Sequence, residues 1–221
     1  MLSLEGLHKR AAFFHCIRSF FLDQGFLEVD TPLRQPVYLP ESNIVPLAAE
    51  GQFLQTSPEL CMKRLLAHGC EKIFQLSNCF RKDELGRLHL EEFKMLEWYR
   101  TSCDYRQLMH DCESLLQFLR QTLQVHPAFC ADSSATDMFH GISFATPWPR
   151  VTVAEAFALY CPETLETAIE RQIFDEVLTE YVEPRLGTDC PVFLYDYPHQ
   201  LASLARKSPS NPWIAERFEL Y

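Results

Sequence analysis

Apolar side chains recur at three- and four-residue steps from Leu4 through Leu7, Ala11, Phe14, Ile17, Phe20 and Phe21, and Gly25 follows. That spacing predicts a helix over 4–24 with one apolar face. Phe26–Val29 reads as a short strand running into Thr31-Pro32, and the Pro-punctuated stretch 32–52 as loop with short extended pieces. A second helix is predicted over 58–68, with Pro58 near its start and Gly69 just beyond its end. Two strand-like runs, Lys72–Arg81 and Glu92–Thr101, flank the polar segment Lys82–Glu91 and predict a long antiparallel hairpin. Asp104 is placed to cap a helix over 105–124, with Leu108, Cys112, Leu115, Leu116 and Leu119 on one face. Residues 126–149 read as loop. A strand at 150–153, a helix to 159, a helix over 166–182, a strand at 191–197 and a last strand from Ala215 complete the pattern. With no repeat and no boundary in that pattern, the expectation is one α+β domain built on an antiparallel sheet.

Composition narrows the class. No apolar run approaches the ~20 residues that cross a bilayer, so no membrane partner is expected. The basic pair Lys9-Arg10 follows the first apolar residues, the reverse of a secretory leader, which points to the cytoplasm. Nine cysteines show no C-x-x-C pair and no zinc spacing, so they are read as reduced, mostly buried thiols. The formal net charge of −10 disfavours non-specific nucleic-acid binding, which draws on Lys and Arg contacts to phosphates.

The chemistry concentrates in the predicted hairpin. Because side chains alternate along a strand, Phe93, Met95, Glu97 and Tyr99 share one face. An acid and a phenol on a central strand are costly to bury without a partner, and a lysine-like ammonium would be one. Arg81 ends the outgoing strand, and His89 and Phe93 open the return.

Phe80-Arg81, a polar loop, then His89, Phe93 and Met95-Leu-Glu97-Trp98-Tyr99-Arg100 resemble motif two of the class II aminoacyl-tRNA synthetases in its lysyl form. The match is nearest to the stand-alone elongation factor P–(R)-β-lysine ligases. Gly25-Phe-Leu-Glu-Val-Asp-Thr-Pro32 resembles motif one, and Thr56-Ser-Pro-Glu59 followed by Met62-Lys-Arg resembles the family's substrate-site helix. Tyr195-Asp-Tyr-Pro198 and Ala215–Tyr221 resemble the stretch before the metal-binding glutamates. The resemblance implies a class II antiparallel sheet flanked by helices, using ATP and Mg²⁺ to activate lysine or β-lysine. Elongation factor P is the implied acceptor, with tRNA less favoured. It implies that Arg81 clamps the α-phosphate and the substrate carboxylate, that Asp83 holds the adenine or amino-acid end of the nucleotide site, that His89 reaches the outer phosphates, and that Phe93 stacks on adenine. Ser57, Pro58, Glu59, Glu97 and Tyr99 would receive the substrate's ammonium groups, and Glu219 would help bind Mg²⁺. A homodimer is implied, with Phe13, Phe20 and Phe21 partly between subunits.

The chain departs from the family pattern in places. Arg81-Lys82-Asp83 stands for Arg-Asn-Glu, and His89-Leu90-Glu91-Glu92-Phe93 for His-Asn-Pro-Glu-Phe. Leu90 therefore occupies a nucleotide-contact position without the amide. The match ends at Tyr221, before the family's further glutamates and motif three, so the expectation over 1–221 is a catalytic domain without that part. If nothing supplies those groups, little or no adenylation is expected. Thr56-x-x-Glu59 also fits a helix capping box. A truncated lysyl-tRNA synthetase, a non-catalytic binding paralogue and a fragment without function are the alternatives.

Overall fold

The computed structural model describes residues 2–40, 44–130 and 141–221, the Cys130 side chain excepted. His140 and the run Asp132–Thr136 of the expected 126–149 loop lie outside the described residues. The chain divides into two compact units, Phe14–Cys103, and Met1–Phe13 with Asp104–Tyr221.

In the first of these, α1 (Leu4–Asp23) delivers its later turns to a hairpin of β5 (Lys72–Phe80) and β6 (Glu92–Arg100). The two strands pair antiparallel along their whole length, from Lys72↔Arg100 to Phe80↔Glu92. Phe74 and Trp98 lie opposite one another, and Phe21 covers that pair, its ring stacked on Phe74 at 4.8 Å and 5.4 Å from Trp98. Phe21 is fully buried and Phe20 nearly so within this chain, which corrects the expectation that they sit partly between subunits; only Phe13 is exposed. With one hairpin face taken by Phe21, alternation puts Gln75, Ser77 and Cys79 on the other face, opposite Glu97, Met95 and Phe93.

The strand β1 (Leu27–Glu28) adds to β5 in parallel, which the antiparallel expectation did not include. A small antiparallel sheet, β2 (Arg34–Gln35), β4 (Gln52–Leu54) and β3 (Ala48–Ala49), is joined to β5 by buried polar side chains. The Gln35 amide donates to Gln55 Oε1 at 3.3 Å, and the Gln55 amide donates to Ser77 Oγ and, at 2.8 Å, to the Asn78 carbonyl. Nearby, Thr31 Oγ1 donates to Gln75 Oε1 at 3.0 Å. The buried Gln35 and Gln55 amides are tolerated because they are paired. The helix α2 (Glu59–Ala67) follows, ended by Gly69, whose φ of +101 suits a residue without Cβ.

In the second unit, α3 (Tyr105–Val125) begins as expected at Asp104, whose carboxylate accepts from the Arg106 and Gln107 amides. A short α4 (Pro127–Cys130) stands where loop was expected. The strands β7 (Arg150–Thr152), β8 (Phe193–Pro198) and β9 (Ile214–Leu220) form a three-stranded sheet, parallel between β7 and β8 and antiparallel between β8 and β9. A bulge at Asp196, with φ of +59, turns its carboxylate to the Tyr105 hydroxyl, which donates at 2.5 Å. Thr152 and Glu155 form a reciprocal capping box at the start of α5 (Val153–Tyr160).

The single helix expected over 166–182 is two. The helix α6 (Leu165–Glu170) stops where Gln172 turns left-handed, its amide bonded to Ile169 and that of Ile173 to Ala168. Then α7 (Phe174–Val177) runs on as a wider π turn to Val182. The break lets Ala168, Phe174, Val177, Leu178 and Val182 all enter the core over Val153, Phe157 and Leu194. A straight helix could not present so wide an apolar set to one side.

Candidate active site

Glu97 is the centre of the site in the Phe14–Cys103 unit. The hairpin register puts Glu97 and Tyr99 on the face away from Phe21, and the Tyr99 hydroxyl donates to Glu97 Oε1 at 2.5 Å. The Ser57 hydroxyl donates to Glu97 Oε2 at 2.7 Å and accepts the Glu59 amide at 3.0 Å. Both carboxylate oxygens are thus held by neutral hydroxyls, and the nearby cation, Lys63, is paired with Glu59.

Burial raises the Glu97 pKa above the ordinary carboxylate value, opposed by the hydrogen bonds from Tyr99 and Ser57 and assisted by the nearby charge of Glu59. Burial and the Glu97 charge push the Tyr99 phenol well above its ordinary range, so it remains a donor at any working pH. Cys79, on the same face, is pushed up to about 12 by burial first and then by Glu97. It is a packing thiol, with its sulfur 4.0 Å from the sulfur of Met95.

Glu59 opens α2 and pairs with Lys63 one turn on. The alternative reading of Thr56-x-x-Glu59 as a capping box does not hold: α2 has Pro58 at its N-cap without a side-chain cap, and Ser57 holds the Glu59 amide instead. Pro58 serves by its place, fixing the turn between Ser57 and Glu59. Sequence reasoning missed Lys63, whose i,i+4 spacing from Glu59 was the available signal. It also missed Thr56 Oγ1 and Gln75 Nε2, buried atoms without a hydrogen-bond partner among the described residues.

A second group lies at the end of β5. The Arg81 guanidinium sits 5.2 Å from the Phe93 ring centroid, and its Nε donates to the Thr56 carbonyl at 3.4 Å. Its Nη1 is 3.8 Å from Glu84. A fixed cationic fork beside an aromatic face suits a phosphate and a flat base. The two groups meet through adjacent residues, since Thr56 accepts from Arg81 while Ser57 donates to Glu97. Asp83 takes a left-handed turn, φ +65, and its amide donates to Glu91 Oε1 at 2.9 Å. His89 and Leu90 are exposed on the hairpin loop, apart from the hydrogen-bonded cluster.

Glu219 belongs to the other unit, on β9. Arg217 donates to its Oε1 at 2.5 Å and the Tyr221 hydroxyl to its Oε2 at 3.0 Å. No group of three or more His, Cys, Asp or Glu that could hold a metal occurs among the described residues. Both Glu219 oxygens thus accept from close neighbours in sequence. The same unit contains a cavity of about 520 Å³ lined by Leu116, Leu119, Leu123, Phe129 and Phe144, mostly apolar with Arg120 at its wall.

A hairpin carrying an arginine over an aromatic ring and a half-buried acid fits the core of an adenylate-forming synthetase. The model of the class II tRNA synthetases (D, K and N) matches residues 3–221. The elongation factor P–(R)-β-lysine ligase of Salmonella gallinarum is 38 % identical over 99 % of this chain and 70 % of its own length. The ligases of the same description from Salmonella typhi and Klebsiella pneumoniae subsp. pneumoniae are each 37 % identical over the same shares. The chain belongs to the class II tRNA synthetase family, on the branch of the elongation factor P–(R)-β-lysine ligases.

Proposed function

We propose that this chain activates a lysine-type amino acid, lysine or β-lysine, with ATP and passes it to a lysine of elongation factor P. The observation that carries this reading is Glu97, a half-buried carboxylate whose two oxygens accept from the neutral hydroxyls of Ser57 and Tyr99. An ammonium at the end of a flexible side chain supplies the missing charge, and Glu59 offers a second carboxylate once Lys63 moves aside. Arg81 holds the α-phosphate and the substrate carboxylate together, and Phe93 carries the adenine face. Asp83 and the loop positions His89 and Leu90 border the nucleotide.

The substrate carboxylate attacks the α-phosphorus, pyrophosphate leaves with its electron pair, and an acyl-adenylate results. The acceptor amine then attacks the acyl carbon, AMP departs, and an amide forms. Positioning and charge neutralisation by Arg81 contribute most of the rate, since no protein nucleophile is needed. Mg²⁺, bound with ATP, would neutralise charge on the phosphates as pyrophosphate leaves.

The eight cysteines described are all free thiols, which suits a cytoplasmic protein. No helix among the described residues is long and apolar enough to cross a membrane. Leu4 and Leu7, exposed one turn apart on α1, offer apolar surface to a homodimer partner.

The test is ATP–pyrophosphate exchange with α-lysine and (R)-β-lysine, followed by transfer of labelled amino acid to elongation factor P or to tRNA. Lysine-dependent exchange and labelled protein are expected. Labelled tRNA with unlabelled protein would assign the chain to the tRNA-charging branch instead, and no exchange from folded protein would remove the catalytic reading.

A further inference from the structure

Between the end of β4 at Leu54 and the start of α2 at Glu59, a short stretch of chain touches both groups of the candidate site. The Thr56 carbonyl accepts from the Arg81 guanidinium, and the Ser57 hydroxyl donates to Glu97. Outside helix and strand, no regular ladder of hydrogen bonds fixes the path of such a stretch. Its neighbours supply little. The Thr56 hydroxyl has no hydrogen-bond partner among the described residues, and Pro58 gives α2 no side-chain cap.

Gln55 supplies the anchor. It is 3 % exposed. Its backbone amide donates to the Leu33 carbonyl at 2.8 Å, and its carbonyl accepts from the Phe80 amide at 2.9 Å, one residue before Arg81. Its side-chain amide donates to the Ser77 hydroxyl and, at 2.8 Å, to the Asn78 carbonyl, while its Oε1 accepts from Gln35 at 3.3 Å. Main chain and side chain of one residue are therefore tied to the strand that leads to Arg81 and pairs with the strand of Glu97. A methionine would fill a similar space without the penalty of burying an amide. What the amide adds is direction, because a fully paired buried network admits one arrangement.

We propose that Gln55 is a positioning residue for both halves of the site: its buried amide sets the path of residues 55–57, and so aims Ser57 at Glu97 and the Thr56 carbonyl at Arg81. This rests on the function proposed above for those two groups, and it adds a residue that acts through them.

The experiment measures, by calorimetry, the affinity for ATP and for lysine or (R)-β-lysine of the wild-type chain and of the Gln55→Met, Ser77→Ala and Asp104→Ala variants. Thermal unfolding is recorded for each, and pyrophosphate exchange for the wild type. Gln55→Met is expected to weaken both ligands by similar factors, about tenfold, the scale of a buried hydrogen bond left without its partner. Ser77→Ala, which removes one acceptor of the amide, should weaken both in the same direction by a smaller factor. Asp104→Ala, remote in the other unit, should lower the unfolding temperature and leave both affinities unchanged. A Gln55→Met protein that is less stable but binds both ligands like wild type overturns the proposal, as does weakening of one ligand alone. If Gln55→Met does not fold, Ser77→Ala decides by the same criteria. A wild type that binds both ligands without exchanging pyrophosphate would count against the proposed reaction, and a joint loss of affinity in the variants would still establish the positioning role.

Discussion

Glu97 unites the electrostatics of the site, and its behaviour under substitution follows from its partners. Glu97→Gln removes the charge an ammonium needs and should raise the KM for lysine in pyrophosphate exchange by roughly 100-fold, the scale of a lost charge-assisted contact. Tyr99→Phe keeps the ring and removes one donor, so the Glu97 pKa should climb further and lysine binding weaken by about tenfold. The pH dependence has two signs. Folding raises the Glu97 pKa above 4.5, so its protonated form is the one favoured in the fold; this stability is complete below the ordinary range and is lost as pH rises through the raised value. Substrate affinity runs the other way, falling as acid protonates Glu97. Titrating lysine binding and thermal stability across the acid range on one sample should show the two trends crossing. At the same scale, the resemblance of the hairpin strands made Glu97, Tyr99 and Arg81 legible before the structure. Lys63 and the orphaned Thr56 hydroxyl were not, because whether a residue borders a site depends on how the segment 55–57 crosses the sheet. Glu219, read as a metal ligand, accepts from Arg217 on β9 and from Tyr221 just past its end, contacts that period-two alternation permits but does not announce.

At the level of elements, α1 and the hairpin stand or fall together. Phe21→Ala would empty the space over Phe74 and Trp98 and should cost about 3–5 kcal/mol by denaturant unfolding, as large core deletions do. Asp104→Ala, which strips the cap from α3, should cost about 1 kcal/mol and leave lysine activation unchanged. Long segments such as α1 and α3 were readable because apolar residues recur at helical steps, and the hairpin because two strand-like runs flank a polar segment. The helix expected over 166–182 was not read as two because its apolar residues satisfy a helical period on both sides of Gln172. Only tertiary packing, with Ala168 and Phe174 both driven into the core over Phe157, selects the break. The parallel pairing of β1 with β5 was equally hidden, since two residues of strand carry no directional pattern.

For the molecule as a whole, the surplus of acids governs which partners approach. At a net charge of −10, non-specific tRNA binding should be weak and should show little of the steep salt dependence that phosphate contacts produce. Filter binding across a salt series checks this, and a slope of several counterions would contradict it. The adjacency of Thr56 and Ser57 has a further consequence. One of these neighbours touches Arg81 and the other Glu97, so any strain in that single peptide link is felt by both. Occupancy of either end then biases the other, and thermodynamic reciprocity makes the effect mutual: the factor by which ATP sharpens lysine binding must equal the factor by which lysine sharpens ATP binding. Energetic communication between the two substrates is thus expected without any large movement, carried by a linkage one residue long.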